Sequence, residues 1–296
     1  MPSDTTTLSL STPSYSSTEL QNDDPHLAIA VRLYDIVGSL VVPATPNGPL
    51  TSPISAAHQI DDLIPGKELD MGERDSDEID KFQEEVWLVF IKVAEQVPWD
   101  HAGQDHLANA LTALEALDGP ELSSSEWMWH HLPLIRGHLE AASASRISAN
   151  LEAFTARLCG RGLVDMPRCA IRSLREGLER FPWNRTPELM KFAKSRREID
   201  EKTLRLISAA QWMIHAGACL HKHCKLRTLS EGQVGRLYGK VGGKWRGAIG
   251  FSTERWAFWR SAFVEISLTF TDDHLPGPVR AVASEAAAAM DLIQAM

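Results

Sequence analysis

The chain has no apolar run approaching the roughly 18 residues needed to cross a bilayer, which argues against a membrane span. Its first residues, MPSDTTTLSLSTPSYSSTEL, have neither a basic stretch nor an apolar core, which argues against a signal peptide. Cysteine is scarce. Cys159, Cys169, Cys219 and Cys224 contain no CxxC pair, so they suit a reducing compartment and not a disulfide framework. No segment shows strand alternation bounded by turn residues, which sets sheet architectures aside. These absences predict a soluble protein of the cytoplasm, with the nucleus left open.

Several catalytic signatures are missing too. GRLYGKVGGKWRGAIG, residues 235–250, has Tyr238 where a phosphate-binding loop needs its first glycine and Trp245 where it needs Ser or Thr. It reads as a mobile surface loop carrying Lys240, Lys244 and Arg246. IDDLI and TDDHL lack the further carboxylate of the magnesium motifs of terpene synthases. HExxH and GxSxG are absent, and no carboxylate–His pair has the spacing of a di-iron helix. In SEWMWHHLP, Glu126, His130 and His131 lie close in sequence, but adjacent histidines on a helix diverge. No reaction is legible, and no cofactor is expected.

What is present is helical periodicity and uneven charge. The net charge of −9 is distributed as −18 over residues 1–145, +13 over 146–260 and −4 over 261–296. The basic middle is expected to be neutralised by the acidic first half, and overall acidity opposes nucleic-acid binding. Residues 1–23 are Ser/Thr-rich and read as a disordered tail. Residues 24–42 form one helix, with Asp24 as cap, Pro25 in its first turn and Gly38 at its end. Residues 43–79 carry Pro43, Pro46, Pro49, Pro53 and Pro65 and then an acidic run, which predicts a linker without regular structure and a helix tethered by it. Residues 80–296 are expected to form a single all-α domain, a multi-helix bundle or stacked hairpins, giving the chain about ten helices.

Within that domain, Phe82, Val86, Val89, Phe90, Val93 and Val97 repeat at helical spacing up to Pro98. Leu107, Leu111, Leu114 and Leu117 mark a second helix, and Leu151, Phe154 and Leu158 a third. Asp165 is placed to cap the next, with Pro167 in its first turn and Ile171, Leu174, Leu178 and Phe181 on one face. Thr186-Pro187 opens another.

QWMIHAGACLHKHC, residues 211–224, concentrates His215, Cys219, His221, His223 and Cys224. On a helix, His215, Cys219 and His223 form a stripe at i, i+4 and i+8 opposite the apolar Leu206, Ala210, Met213, Ile214, Gly217, Leu220 and Cys224. Neighbours in the stripe can share a metal, but its ends lie about 12 Å apart. At most two ligands converge, and no third is marked by spacing. The expectation is a packed helix without a metal.

GFSTERWAFWRSAF has Ser252 as helix cap, Phe251 as a staple against Trp256, and Trp256, Trp259 and Phe263 on one face. With VPWDHAGQDHL, NLEAFTARLCGRGLVD, AIRSLREGLE and AAQWMIHAGACL in this order, the stretch resembles a family of fungal proteins known as domain of unknown function 3632. The similarity runs from about Phe82 to Phe270. It implies a fungal, intracellular, all-α protein and brings no reaction or catalytic residue with it. The polar residues at its motif positions, Asn150, Arg157, Gln211 and Arg255, make a candidate polar pocket, and Trp99, Trp212, Trp256 and Trp259 a candidate aromatic lining. If buried, those polar groups need partners, which a packing network would also supply. The leading reading is an interaction or scaffold protein with a protein partner. The alternative is a small-molecule binder or enzyme accessory to fungal specialised metabolism.

Overall fold

Most helices in this chain start where the sequence supplies a cap or a proline. In a computed structural model, Ser52 Oγ accepts from Ser55 N at 3.1 Å, Asp75 Oδ1 from Asp77 N at 3.0 Å, Ser148 Oγ from Leu151 N at 3.2 Å and Ser252 Oγ from Arg255 N at 3.1 Å. Each bond satisfies an amide that the first helical turn leaves unpaired. The structure describes residues 8–11, 25–43, 48–67, 69, 75–117, 119–120, 127–180, 196–228, 243–269 and 277–296.

These residues form ten α-helices and no strand. They are α1 (Pro25–Gly38), α2 (Pro53–Asp61), α3 (Ser76–Gln96), α4 (Gly103–Glu115), α5 (Ile135–Ser145), α6 (Ala149–Gly160), α7 (Pro167–Leu174), α8 (Arg196–Leu226), α9 (Thr253–Thr269) and α10 (Gly277–Ala295). A π-helical turn, Arg175–Glu179, continues α7. The chain is all-α, as its periodicity predicts. The helix expected at Thr186-Pro187 lies outside the described residues, as does most of the expected N-terminal tail.

The structure divides the chain into two compact units, 1–142 and 143–296, with the division inside α5. The sequence suggested a different division, with a tethered helix, a linker and one domain from residue 80. Proline at position 53 does not prevent regular structure; it occupies the first turn of α2, where no amide hydrogen is needed. Nor is α1 merely tethered: it packs on α3, with Leu33 and Val37 fully buried, as is Leu40 just beyond its end. Burying such a side chain contributes about 1.5–3 kcal/mol, enough to hold a short helix in place. Residues 8–11, within the stretch expected to be disordered, are also held. Ser11 N donates to Gln96 Oε1 at 2.6 Å, and Tyr34 Oη donates to Ser11 O at 2.8 Å.

The second unit is organised around α8, a continuous 31-residue helix against which α6, α7, the π turn, α9 and α10 all pack. Two glycines allow the closest approaches. A Cβ on Gly160 would sit 2.0 Å from the His215 carbonyl oxygen, and one on Gly177 would sit 2.6 Å from that of Arg205. Only glycine fits where backbones meet so closely.

Candidate functional site

Helix α6 is buried almost all round: Leu151 to Cys159 are all inside. Its polar side chains therefore point into protein and need partners. Glu152 accepts from Trp212 Nε1 of α8 at 2.5 Å and from Ser173 Oγ of α7 at 2.9 Å. Arg172 Nη2 stands 3.5 Å from its other oxygen. Burial pushes the Glu152 carboxyl above the usual range, against the opposing pull of Trp212, Arg172 and Ser173.

A second carboxylate has a similar set of partners. Glu179, the last residue of the π turn, accepts from Arg255 Nε and Nη2 at 2.7 and 2.9 Å and from Trp259 Nε1 at 2.8 Å. Arg255 Nη1 donates to Gly250 O at 2.9 Å, and the guanidinium lies 5.3 Å from the centroid of the Trp259 ring. Each buried glutamate thus receives an indole N–H and faces an arginine.

Beside Glu152 opens a cleft of about 430 Å³, formed by the end of α5, the turn into α6, α7 and α8. Arg146, Arg172 and Arg205 line it with Glu152 and Glu176, and Ser143, Ser145, Ser148, Ser173 and Ser208 add hydroxyl groups. The Ser143 hydroxyl is buried and has no hydrogen-bond partner. Three arginines and two glutamates line the cleft, and Arg205 is held as well by Glu201, whose Oε1 accepts from its Nε and Nη2 at 3.2 and 2.8 Å. Glu176 already takes Arg180 Nη1 at 3.0 Å, Arg175 Nη2 at 3.3 Å and Arg205 Nη1. Burial lowers the proton affinity of Arg205, and the charge of nearby Arg172 lowers it further. Arg175 is lowered the same way, by burial first and then by Arg180, Arg255 and Arg172 against Glu179. Guanidiniums that repel one another across a half-open cleft make an environment suited to an anion.

The residues expected at a functional site are distributed as follows. Arg255, Trp259 and the missed Glu179 meet in one buried cluster. Trp212 joins Glu152. Trp256 is buried, and the His221 ring packs on it with centroids 4.8 Å apart; Phe251 has the rings of His223, at 5.6 Å, and Trp259, at 5.9 Å, as neighbours. Arg157 is buried on α6 and donates to Ala153 O at 3.2 Å, while Gln211 Oε1 pairs with His215 Nε2 at 3.2 Å. Asn150 is half-buried in the first turn of α6. Trp99, half-buried after α3, belongs to the first unit, whereas the other seven belong to the second. None of the eight lines the cleft. Glu152, Glu179, Arg172 and Arg205 escaped the sequence reading because charged residues on helices ordinarily face water. For Glu152 the available signal was an acidic residue flanked by the apolar Leu151, Ala153 and Phe154.

The histidine–cysteine stretch is helical throughout, and its stripe sits at half-buried positions, as the spacing predicts. Asp165 departs from expectation. It does not cap α7, whose cap position is Met166. Its Oδ1 instead lies 3.0 Å from His223 Nε2, and one ligand atom each from Asp165, Cys219 and His223 falls within 4.8 Å of the others. Glu115, His130 and His131 form a second such trio in the first unit. There the two histidines leave the helical geometry assumed for them: His131 has φ +59°, and the rings approach to 3.9 Å. Burial pushes the Cys159 thiol up, and that of Cys224 to about 12, so neither is a thiolate at neutral pH. Of the glycine-rich loop, residues 235–242 lie outside the described residues; beyond them, Lys244 N donates to Glu179 O at 3.0 Å and the Trp245 ring meets Phe258 at 5.5 Å.

A family profile described as "Protein of unknown function (DUF3632)" matches residues 87–263, more than half of the chain. No curated protein and no solved structure matches it.

Proposed function

The chain belongs to the DUF3632 family, and from the geometry of its second unit we propose that it is a small-molecule-binding protein whose ligand carries a carboxylate or phosphate group. The observation that carries this reading is the cleft of about 430 Å³ in which Arg146, Arg172 and Arg205 meet serine hydroxyl groups beside Glu152. That volume lies in the range of ligand sites, roughly 300–1,000 Å³. The guanidiniums would bind the anionic group, and the serine hydroxyls would take hydroxyl or amine groups on the rest of the ligand. Among the described residues no helix is long and apolar enough to cross a membrane. Four free cysteines fit a reducing compartment, and we place the protein in the cytoplasm or nucleus.

A thermal-shift screen tests the proposal, using inorganic phosphate, citrate and glucose 6-phosphate against chloride at matched ionic strength. A saturable stabilisation by one of the three supports it. Equal behaviour in all four solutions overturns it.

The scaffold reading is favoured by a different observation. Arg255, at a family motif position, is fully buried and engaged by Glu179 and the Gly250 carbonyl, away from the cleft. On that reading the shared motifs preserve helix packing, and function lies on an outer surface. The same screen separates the two, because a scaffold requires no small-anion response.

A further inference from the structure

Metal ligation demands donor atoms that converge from a rigid frame, a route for the ion, and ligand charge to match it. Cys219 and His223, one turn apart on α8, and Asp165, from the turn between α6 and α7, meet these demands, and we infer that they form a binding site for a zinc-class divalent transition metal.

The helix alone supplies only two neighbouring donors. The third comes from the fold. The turn after α6 brings Asp165 against α8, where its Oδ1 lies 3.0 Å from His223 Nε2. With the Cys219 sulfur, the donor atoms lie within 4.8 Å of one another, close enough to turn onto one ion at zinc–ligand distances of about 2.0–2.3 Å. The other ring nitrogen of His223 is engaged as well: Nδ1 lies 3.0 Å from Thr228 Oγ1. A metal-binding histidine characteristically has such an outer bond, which orients the ring; on ligation the proton would move to Nδ1, donating to Thr228, while Nε2 exchanges its contact with Asp165 for the metal. Asp165 is 65% exposed and His223 16%, so an ion can enter from solvent while the helix side stays rigid.

The donor chemistry selects the metal. One thiolate, one imidazole and one carboxylate suit zinc and related transition ions and exclude magnesium and calcium, which prefer all-oxygen sets. Binding breaks the Cys219 S–H bond, forms a sulfur–metal bond and releases the proton to water. Thiolate and carboxylate then neutralise a dication. Burial, and after it Asp165, raises the free Cys219 thiol, so without a metal it stays protonated at neutral pH. Three protein ligands leave one tetrahedral position for water.

The test is a cobalt(II) titration of the full-length chain, purified without a tag and kept reduced. Wild type should develop tetrahedral d–d bands with a sulfur-to-cobalt charge-transfer band, saturating at one ion per chain and reversed by zinc. Cys219→Ser should lose the charge-transfer band, and Asp165→Asn and His223→Gln should lose saturation. His130→Ala, in the other trio, should leave the band unchanged. Thr228→Val should weaken cobalt binding by about 10–100-fold with the same spectrum, since it acts only through the ring. Circular dichroism shows whether each variant is folded, and the wild-type titration stands without them. The inference is overturned if wild type gives no thiolate band, if Cys219→Ser retains it, or if the folded Asp165 and His223 variants bind as wild type does.

Discussion

Arg255 and Glu179 meet as a bidentate ion pair, 2.7 and 2.9 Å apart at its two bonds, with neither side chain exposed to solvent. The pair joins α9 to the π turn, 76 residues earlier in the chain. Removing one partner leaves a buried charge without its counter-charge, which costs about 3–5 kcal/mol. Arg255→Ala and Glu179→Gln should each lower the melting temperature sharply, with or without any ligand. A melt of Arg255→Ala indistinguishable from wild type would contradict the structural role given to this pair.

Trp256 calls for a graded comparison. Its ring is buried on α9, and its indole N–H has no hydrogen-bond partner. Trp256→Ala should cost about 3–5 kcal/mol through lost contacts and the cavity left behind. Trp256→Phe should cost distinctly less, because it also removes an unsatisfied buried donor. Chemical denaturation of the two variants measures the difference. Equal losses would mean that the N–H, and not the ring volume, carries the effect.

Glu152 gives the fold a pH dependence of known sign. Burial raises its carboxyl above the ordinary value of 4.5, so the folded state holds this proton more tightly than the unfolded chain does. Its stabilising contribution is complete below the unfolded value and is lost as pH rises through the raised folded value. Wild type should therefore lose stability relative to Glu152→Gln as pH climbs from about 4.5 toward neutrality. Melting curves across that window check it, and parallel curves would show that Glu152 titrates normally.

The helices were legible where apolar spacing, caps and prolines agreed, as along Phe82–Val97 and at Ser252. The linker expectation failed at Pro53 because a proline that breaks a helix interior also starts a helix well. The sites were harder to read. Spacing along one helix shows only ligands one turn apart, so Asp165, 58 positions from His223, carried no mark. The same holds for the cleft. Arg172 and Arg205 become neighbours only through the packing of α7 on α8.

The packing of α1 bears on truncation. Because Leu33, Val37 and Leu40 are fully buried, removing residues 1–75 should destabilise the first unit and not merely shorten the chain. Circular dichroism melts of residues 76–296 against the full chain decide this. An unchanged melt would restore the picture of a tethered helix on a linker.

Calorimetric titration of wild type and Arg172→Ala, with whichever of phosphate, citrate or glucose 6-phosphate stabilises the protein most, tests the anion-binding cleft of the second unit. Arg172 lines the cleft and is 26% exposed, and Glu152 keeps its bonds from Trp212 and Ser173 without it, so Arg172→Ala should stay folded, which circular dichroism checks. Wild type should bind saturably at one site, weakened at least about tenfold in Arg172→Ala, equivalent to about 1.4 kcal/mol. Binding of equal strength by the two proteins, or none by wild type, would contradict it.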